Sequence, residues 1–163
     1  MKNKWLPFIL LMSDAAEGTL ASAPGAGLLD DDLSDVDTSF PLLAEGVYDM
    51  VIKEVKLEEN KAKTGNNVVI KVATTVPAKS VKGEHLNPGM VLTNYISTVE
   101  VPGKYDRDAI KRNLATFVQA TGLGGAINPM DRFKDKIVRC KVKVRPPEGQ
   151  YEAANDIRFV PVE

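Results

Sequence analysis

Four basic residues alternate with apolar residues in the last quarter of the chain: Arg139, Lys141, Lys143 and Arg145. In a β-strand, alternate side chains share one face and stand about 7 Å apart, so these cations would form a row of about 20 Å. A row of this kind can bind successive phosphates of a polyanion without reading its sequence. The same pattern also suits the solvated face of an antiparallel strand, where Lys and Arg discourage unwanted pairing.

The residues between these cations form an apolar face that includes Cys140, which we interpret as a core residue. Cys140 is the only cysteine and His85 the only histidine, so neither an internal disulfide nor a Cys/His zinc site is expected. The sequence has no glycine-rich phosphate loop followed by Lys-Ser or Lys-Thr. We therefore expect a protein that is not an enzyme and holds no cofactor and no metal.

Exposed aromatic rings would add a stacking surface for unpaired bases. If Leu92 and Ile96 face the core, Tyr95 points outward, and similar alternation places Lys71 outward on the preceding strand. Tyr105 and Tyr151 are further candidates, although each tyrosine could equally be a packing residue. The predicted nucleic-acid-binding residues are Lys61, Lys63, Lys71, Tyr95, Arg139, Lys141, Lys143, Arg145 and Tyr151.

The elements that would carry these residues follow the order β-β-β-α-β-β. Hydrophobic patterning predicts strands over residues 46–57, 68–76, about 90–98, 137–145 and 151–160. Between the third and fourth strands, the apolar spacing predicts a helix that is capped near Asp106 and stops at Gly122. This order indicates a mainly β protein with an OB-like five-stranded Greek-key barrel, a fold that often binds oligonucleotides.

An acidic segment precedes this domain. Residues 1–39 contain two Lys and seven Asp or Glu, a charge of −5, whereas the remainder has 19 Lys or Arg against 15 acids, a charge of +4. We predict a disordered or loosely docked arm over 1–39 and an OB-like binding domain over 40–163. The arm's acidic run could bind a basic partner or the domain behind it, through Asp30, Asp31, Asp32, Asp35 and Asp37.

The first residues resemble a poor signal peptide, with an apolar run from Trp5 to Met12 after Lys2 and Lys4. That run is short and contains Pro7, so we favour a start at Met12, with the eleven upstream residues added by start-site choice. No apolar run approaches the roughly 20 residues needed to span a bilayer. A single cysteine suits a reducing cytosol.

Two segments resemble a known family. The stretches from Asp35 to Leu43 with Gly46-Val47-Tyr48, and from Asp135 to Phe159, are similar to the opening and closing strands of a family of small bacteriophage proteins, many of them described as single-stranded DNA-binding proteins. The resemblance implies a replication or recombination accessory in the host cytoplasm. The partners we consider are single-stranded DNA, other phage replication or virion proteins, and a second copy of the chain. The alternative is a phage structural or accessory protein whose barrel is a protein-interaction scaffold.

Overall fold

The computed structural model describes residues 31, 32, 34 and 39–163. Contacts divide the chain into two units, Met1–Ser39 and Phe40–Glu163, and the second unit is described below. It is mainly β, with one five-stranded antiparallel sheet, a two-stranded hairpin, one α-helix and one 3-10 helix. The elements are β1 (Gly46–Glu59), β2 (Asn66–Thr74), β3 (Ala78–Lys79), β4 (His85–Leu86), β5 (Val91–Ser97), α1 (Arg107–Thr121), the 3-10 helix (Met130–Phe133), β6 (Ile137–Arg145) and β7 (Ala154–Phe159).

The long strand β1 lies at the centre of the sheet, whose order is β5-β2-β1-β6-β7. It pairs with β2 from Met50 to Glu59 and with β6 from Gly46 to Val51, so its two halves serve different partners. The register shifts between Ile52 and Glu54, which leaves Lys53 as an extra residue. Bulges of this kind bend a strand and increase its twist, so the sheet can curve at this position.

The two edge strands of the sheet, β5 and β7, approach each other. The side-chain amide of Asn94 on β5 donates a hydrogen bond to the backbone carbonyl of Ile157 on β7 at 2.9 Å. In the described part of the chain these strands form no backbone ladder, so the sheet is curved but is not a closed barrel.

Alternate residues of the sheet face a common core, which α1 and the 3-10 helix cover. Phe117 of α1 lies at its centre, with its ring centroid 4.9 Å from that of Phe133 and 5.0 Å from that of Phe159. Asp106 caps α1 by accepting a hydrogen bond from the Ala109 amide, as predicted. Gly122 ends the helix in the left-handed conformation (φ 70°), where the absence of a Cβ avoids strain.

The sequence located the five main strands and the helix, with errors at their ends. β2 begins and ends two residues earlier than predicted, β1 extends to Glu59, and β7 is limited to Ala154–Phe159 because Tyr151 belongs to the preceding turn. The β3–β4 hairpin and the 3-10 helix were not predicted. Cys140 is fully buried, as predicted, and burial raises the pKa of its thiol to about 12.

Candidate nucleic-acid interface

The outer face of the sheet, meaning the face turned away from the core, carries the predicted row of cations on β6. Val138, Cys140 and Val142 are buried, while the four cations between and beyond them are exposed. The predicted alternation is therefore confirmed. The nucleic-acid-binding role of the row stays a prediction.

Two cations of the row have acidic partners. The Arg139 guanidinium donates to both carboxylate oxygens of Asp49 on β1, at 2.9 Å and 3.5 Å. This hydrogen bonding holds the pKa of Asp49 below its ordinary value and raises the pKa of Arg139. Arg145 lies 3.9 Å from the carboxylate of Asp156 on β7. Both pairs are solvent-exposed, so they stabilise the fold only slightly, yet they partly neutralise the two ends of the row.

Lys141, in the middle of the row, has a different neighbourhood. It lies directly opposite Arg158 on β7 and opposite Val47 on β1. Neither Lys141 nor Arg158 has an acidic group within 4 Å among residues 39–163. Like charges placed directly opposite each other destabilise a sheet. This pair therefore concentrates positive charge while it lowers the stability of the β6–β7 pairing. We call Lys141 and Arg158 the cation pair.

Lys71 and Tyr95 both point to the outer face, as predicted, on the other half of the sheet. The Lys71 ammonium lies 3.0 Å from the Glu54 carboxylate, and this hydrogen bond holds the pKa of Glu54 below its ordinary value. Lys71 is therefore paired with an acid. The Tyr95 ring remains 63% exposed, so it can present a flat face to a ligand.

The remaining predicted binding residues lie in two turns at opposite ends of β1. Lys61 and Lys63 are exposed in the β1–β2 loop, which Asn60 organises by hydrogen bonding to Thr64. Tyr151 is exposed in the β6–β7 turn, where its backbone pairs with that of Glu148. The structure thus does not bring Tyr151 together with the two loop lysines.

The predicted acidic partner-binding residues fall in the first unit. Asp31 and Asp32 are exposed, and hydrogen bonds from Ser34 lower the pKa of Asp32. Asp30, Asp35 and Asp37 lie outside the described residues. The partner-binding role of all five stays a prediction.

A groove of about 630 Å³ runs between β5, β7 and α1. We call it the seam groove, because it follows the junction of the two edge strands. It is lined by Tyr95, Tyr105 and Arg158, among others, and the last of these was missed as a site residue. The alternation of the fifth predicted strand could have indicated Arg158, because an inward Ile157 and Phe159 require it to point outward.

The described residues contain no cluster of three or more His, Cys, Asp or Glu placed to hold a metal ion, and none of their helices is long and apolar enough to cross a membrane. No protein-family model matches the chain, and no curated protein is significantly similar to it.

Proposed function

We propose that this chain is a non-enzymatic single-stranded DNA-binding protein with a partly open, OB-like barrel. In this proposal it acts in the host cytoplasm as a bacteriophage replication or recombination accessory, as the family resemblance implies. The chemistry required is reversible binding, and the buried Cys140 thiol, with its raised pKa, is unsuited to nucleophilic attack.

The strand connections support the OB-like part of the proposal. The first three main strands form the meander β1-β2-β5, and the chain then crosses to the other side of β1 to form β6 and β7. That long connection carries α1 and the 3-10 helix, and a return of this kind to the side of the first strand is typical of Greek-key folds. The hydrogen bond from Asn94 to Ile157 links the edges that a barrel of this order would join.

The cation pair is the observation that carries the DNA-binding part. Two adjacent cations without an acidic neighbour in residues 39–163 repel each other and destabilise the β6–β7 pairing. A phosphate bound between them would remove this repulsion. The flanking cations extend positive charge along β6, so a strand of DNA could follow it. Single strands are favoured over duplex because Tyr95 is exposed as a platform for stacking.

Fluorescence anisotropy with labelled oligo-dT, and with duplex of equal length, tests this proposal. We expect tighter binding to the single strand, little base preference, and affinity that falls steeply with salt because bound phosphates release counterions. A protein that shows no binding to oligo-dT at low salt would contradict the proposal.

A protein-interaction scaffold is the second candidate, and an apolar row on the outer face favours it. Ile137, Val51, Ala73 and Val91 lie side by side across β6, β1, β2 and β5. Ile137 is 64% exposed and Val91 53% exposed, so the ends of this row are open to a partner. Exposed apolar side chains such as these two can form part of a protein interaction site.

Deleting residues 1–39 separates the two candidates. If the arm competes with phosphate for the basic domain, the deletion raises DNA affinity, most clearly at low salt where screening is weakest. If the protein is a scaffold whose arm grips a neighbour, the deletion instead abolishes assembly, which size-exclusion chromatography with light scattering would show.

A further inference from the structure

We propose that the seam groove is a nucleotide-binding subsite, in which one unstacked base of single-stranded DNA lies between Tyr95 and Tyr105 and its phosphate binds the cation pair. This inference rests on the proposed function and gives it a location. It moves the centre of binding from the β6 row, which the sequence indicated, to the junction of β5, β7 and α1.

The lining of the groove combines buried apolar side chains with polar ones. Ile96 of β5, Ile110 of α1 and Phe159 of β7 each keep only 7–8% of their surface exposed, and Asn94 lines the groove beside them. A volume of about 630 Å³ falls within the range of small-molecule sites. A nucleobase, which has apolar faces and a polar edge, suits such a lining better than a hydrated phosphate does.

The rim supplies both stacking and polar groups. Tyr95 and Tyr105 belong to different elements yet line the same groove, and they are 63% and 37% exposed. The backbone of Tyr105 is fixed by two hydrogen bonds with Val101, just before the cap of α1. Asn113 and Thr116 of α1 add donors and acceptors that can meet the polar edge of a base.

Charge at one side of the groove selects an anion. Arg158 lines the groove, and Lys141 stands directly opposite it on the neighbouring strand. The other arginines of this half-sheet are less available: Arg139 is held by Asp49, and Arg145 lies near Asp156. A ligand that combines an aromatic ring with an adjacent phosphate therefore matches the groove better than a peptide or a phosphate alone.

This arrangement requires an unpaired strand. In duplex DNA the bases are stacked and paired, so their faces cannot enter a groove unless the base is extruded at the cost of unstacking. A single strand offers its bases without that cost, and the two tyrosines accept any base because every base has a π-face.

The test compares matched variants in oligo-dT anisotropy. Tyr95→Leu and Tyr105→Leu keep apolar bulk but remove the ring, and Phe40→Leu is the control at an exposed aromatic residue outside the groove. We expect each groove variant to lose about 5-fold to 150-fold in affinity, the value of one base stack, with the control unchanged. Arg158→Gln should reduce the salt slope by about 1, and Arg139→Gln by less.

A crosslinking experiment on the unaltered protein removes any dependence on variant folding. An oligonucleotide that carries a photoreactive halogenated pyrimidine should crosslink to Tyr95 or Tyr105, which mass spectrometry of the digested product identifies. If the protein binds oligo-dT but crosslinks only elsewhere, or if the groove variants bind like the parent, the subsite is overturned while the proposed function stands. If the unaltered protein does not bind oligo-dT at all, the proposed function itself fails.

Discussion

Strands β2 and β6 occupy matching places in the sheet but have very different outer faces. Both are nine residues long, and each lies between β1 and one edge strand. On β6 every outward residue from 137 to 145 is exposed, whereas on β2 the outward Val69 and Ala73 are buried. A strand in this position can therefore have an apolar outer face. The position of β6 in the sheet alone does not explain why its outer face carries four cations.

The first prediction tests the burial of the β2 outer face and has the largest expected effect. Ala73 is fully buried, and its partners in the two ladders are the apolar Val51 and Val91, so Ala73→Asp would place an unpaired charge in apolar surroundings. We expect the free energy of unfolding to fall by about 3–5 kcal/mol, as measured by urea denaturation.

The matched control is Lys141→Asp on the outer face of β6. The new carboxylate would lie opposite Arg158 in solvent, so stability should change by no more than about 1 kcal/mol. If both variants lose the same free energy of unfolding, the outer face of β2 is not more buried than that of β6.

The second prediction asks which cations of β6 and β7 act on DNA. The double variant Lys141→Gln with Arg158→Gln removes the cation pair, and Arg139→Gln with Arg145→Gln removes two cations that lie near acids. In oligo-dT titrations across a salt series, we expect the first to reduce the salt slope by about 2 and the second to reduce it less. If the two double variants have identical salt slopes, an acidic neighbour does not prevent a cation from binding DNA.

The same two strands differ in how much of their structure the sequence could predict. From Val138 onward, β6 alternates strictly between apolar and basic residues, so local spacing alone shows which of its residues face the core. On β2, Lys71 indicates which face points outward, but the sequence does not reveal that Val69 and Ala73 on that same face are buried. The two ends of α1 were also predictable from nearby residues. Asp106 accepts a hydrogen bond from the first turn of the helix, and Gly122 adopts the left-handed conformation directly after its last turn.

The seam groove and the charge pairs could not be predicted in this way. Asp49 neutralises Arg139 from 90 residues away, and Asn94 meets Ile157 from a distance of 63 residues. Such contacts depend on which strands become neighbours and in which register, so the spacing along β6 made its four cations look equivalent. In the β6–β7 ladder, Lys141 is the one that faces another cation.

The third prediction concerns the cost of the cation pair. Arg158→Glu would replace repulsion with attraction across the β6–β7 ladder, because Lys141 is its direct neighbour. We expect the free energy of unfolding to rise by about 0.2–1 kcal/mol while oligo-dT binding weakens. Arg158→Gln should fall between the two in stability. A loss of stability in Arg158→Glu would contradict the view that the cation pair destabilises the fold.

The last prediction concerns the acid dependence of the Asp49–Arg139 pair and has the smallest expected effect. The hydrogen bond from Arg139 lowers the pKa of Asp49 below its ordinary value of 3.8. A carboxylate whose pKa is lowered by folding stabilises the fold above that ordinary value, and this contribution is lost as the pH falls through the lower value. The free energies of unfolding of the parent and of Asp49→Asn, measured over an acidic pH series, should therefore differ slightly near neutrality and converge in acid.

At neutral pH the same variant frees Arg139, so it should also bind oligo-dT slightly more tightly. If its affinity is unchanged while the stability difference appears, Arg139 contributes to the fold and not to the interface.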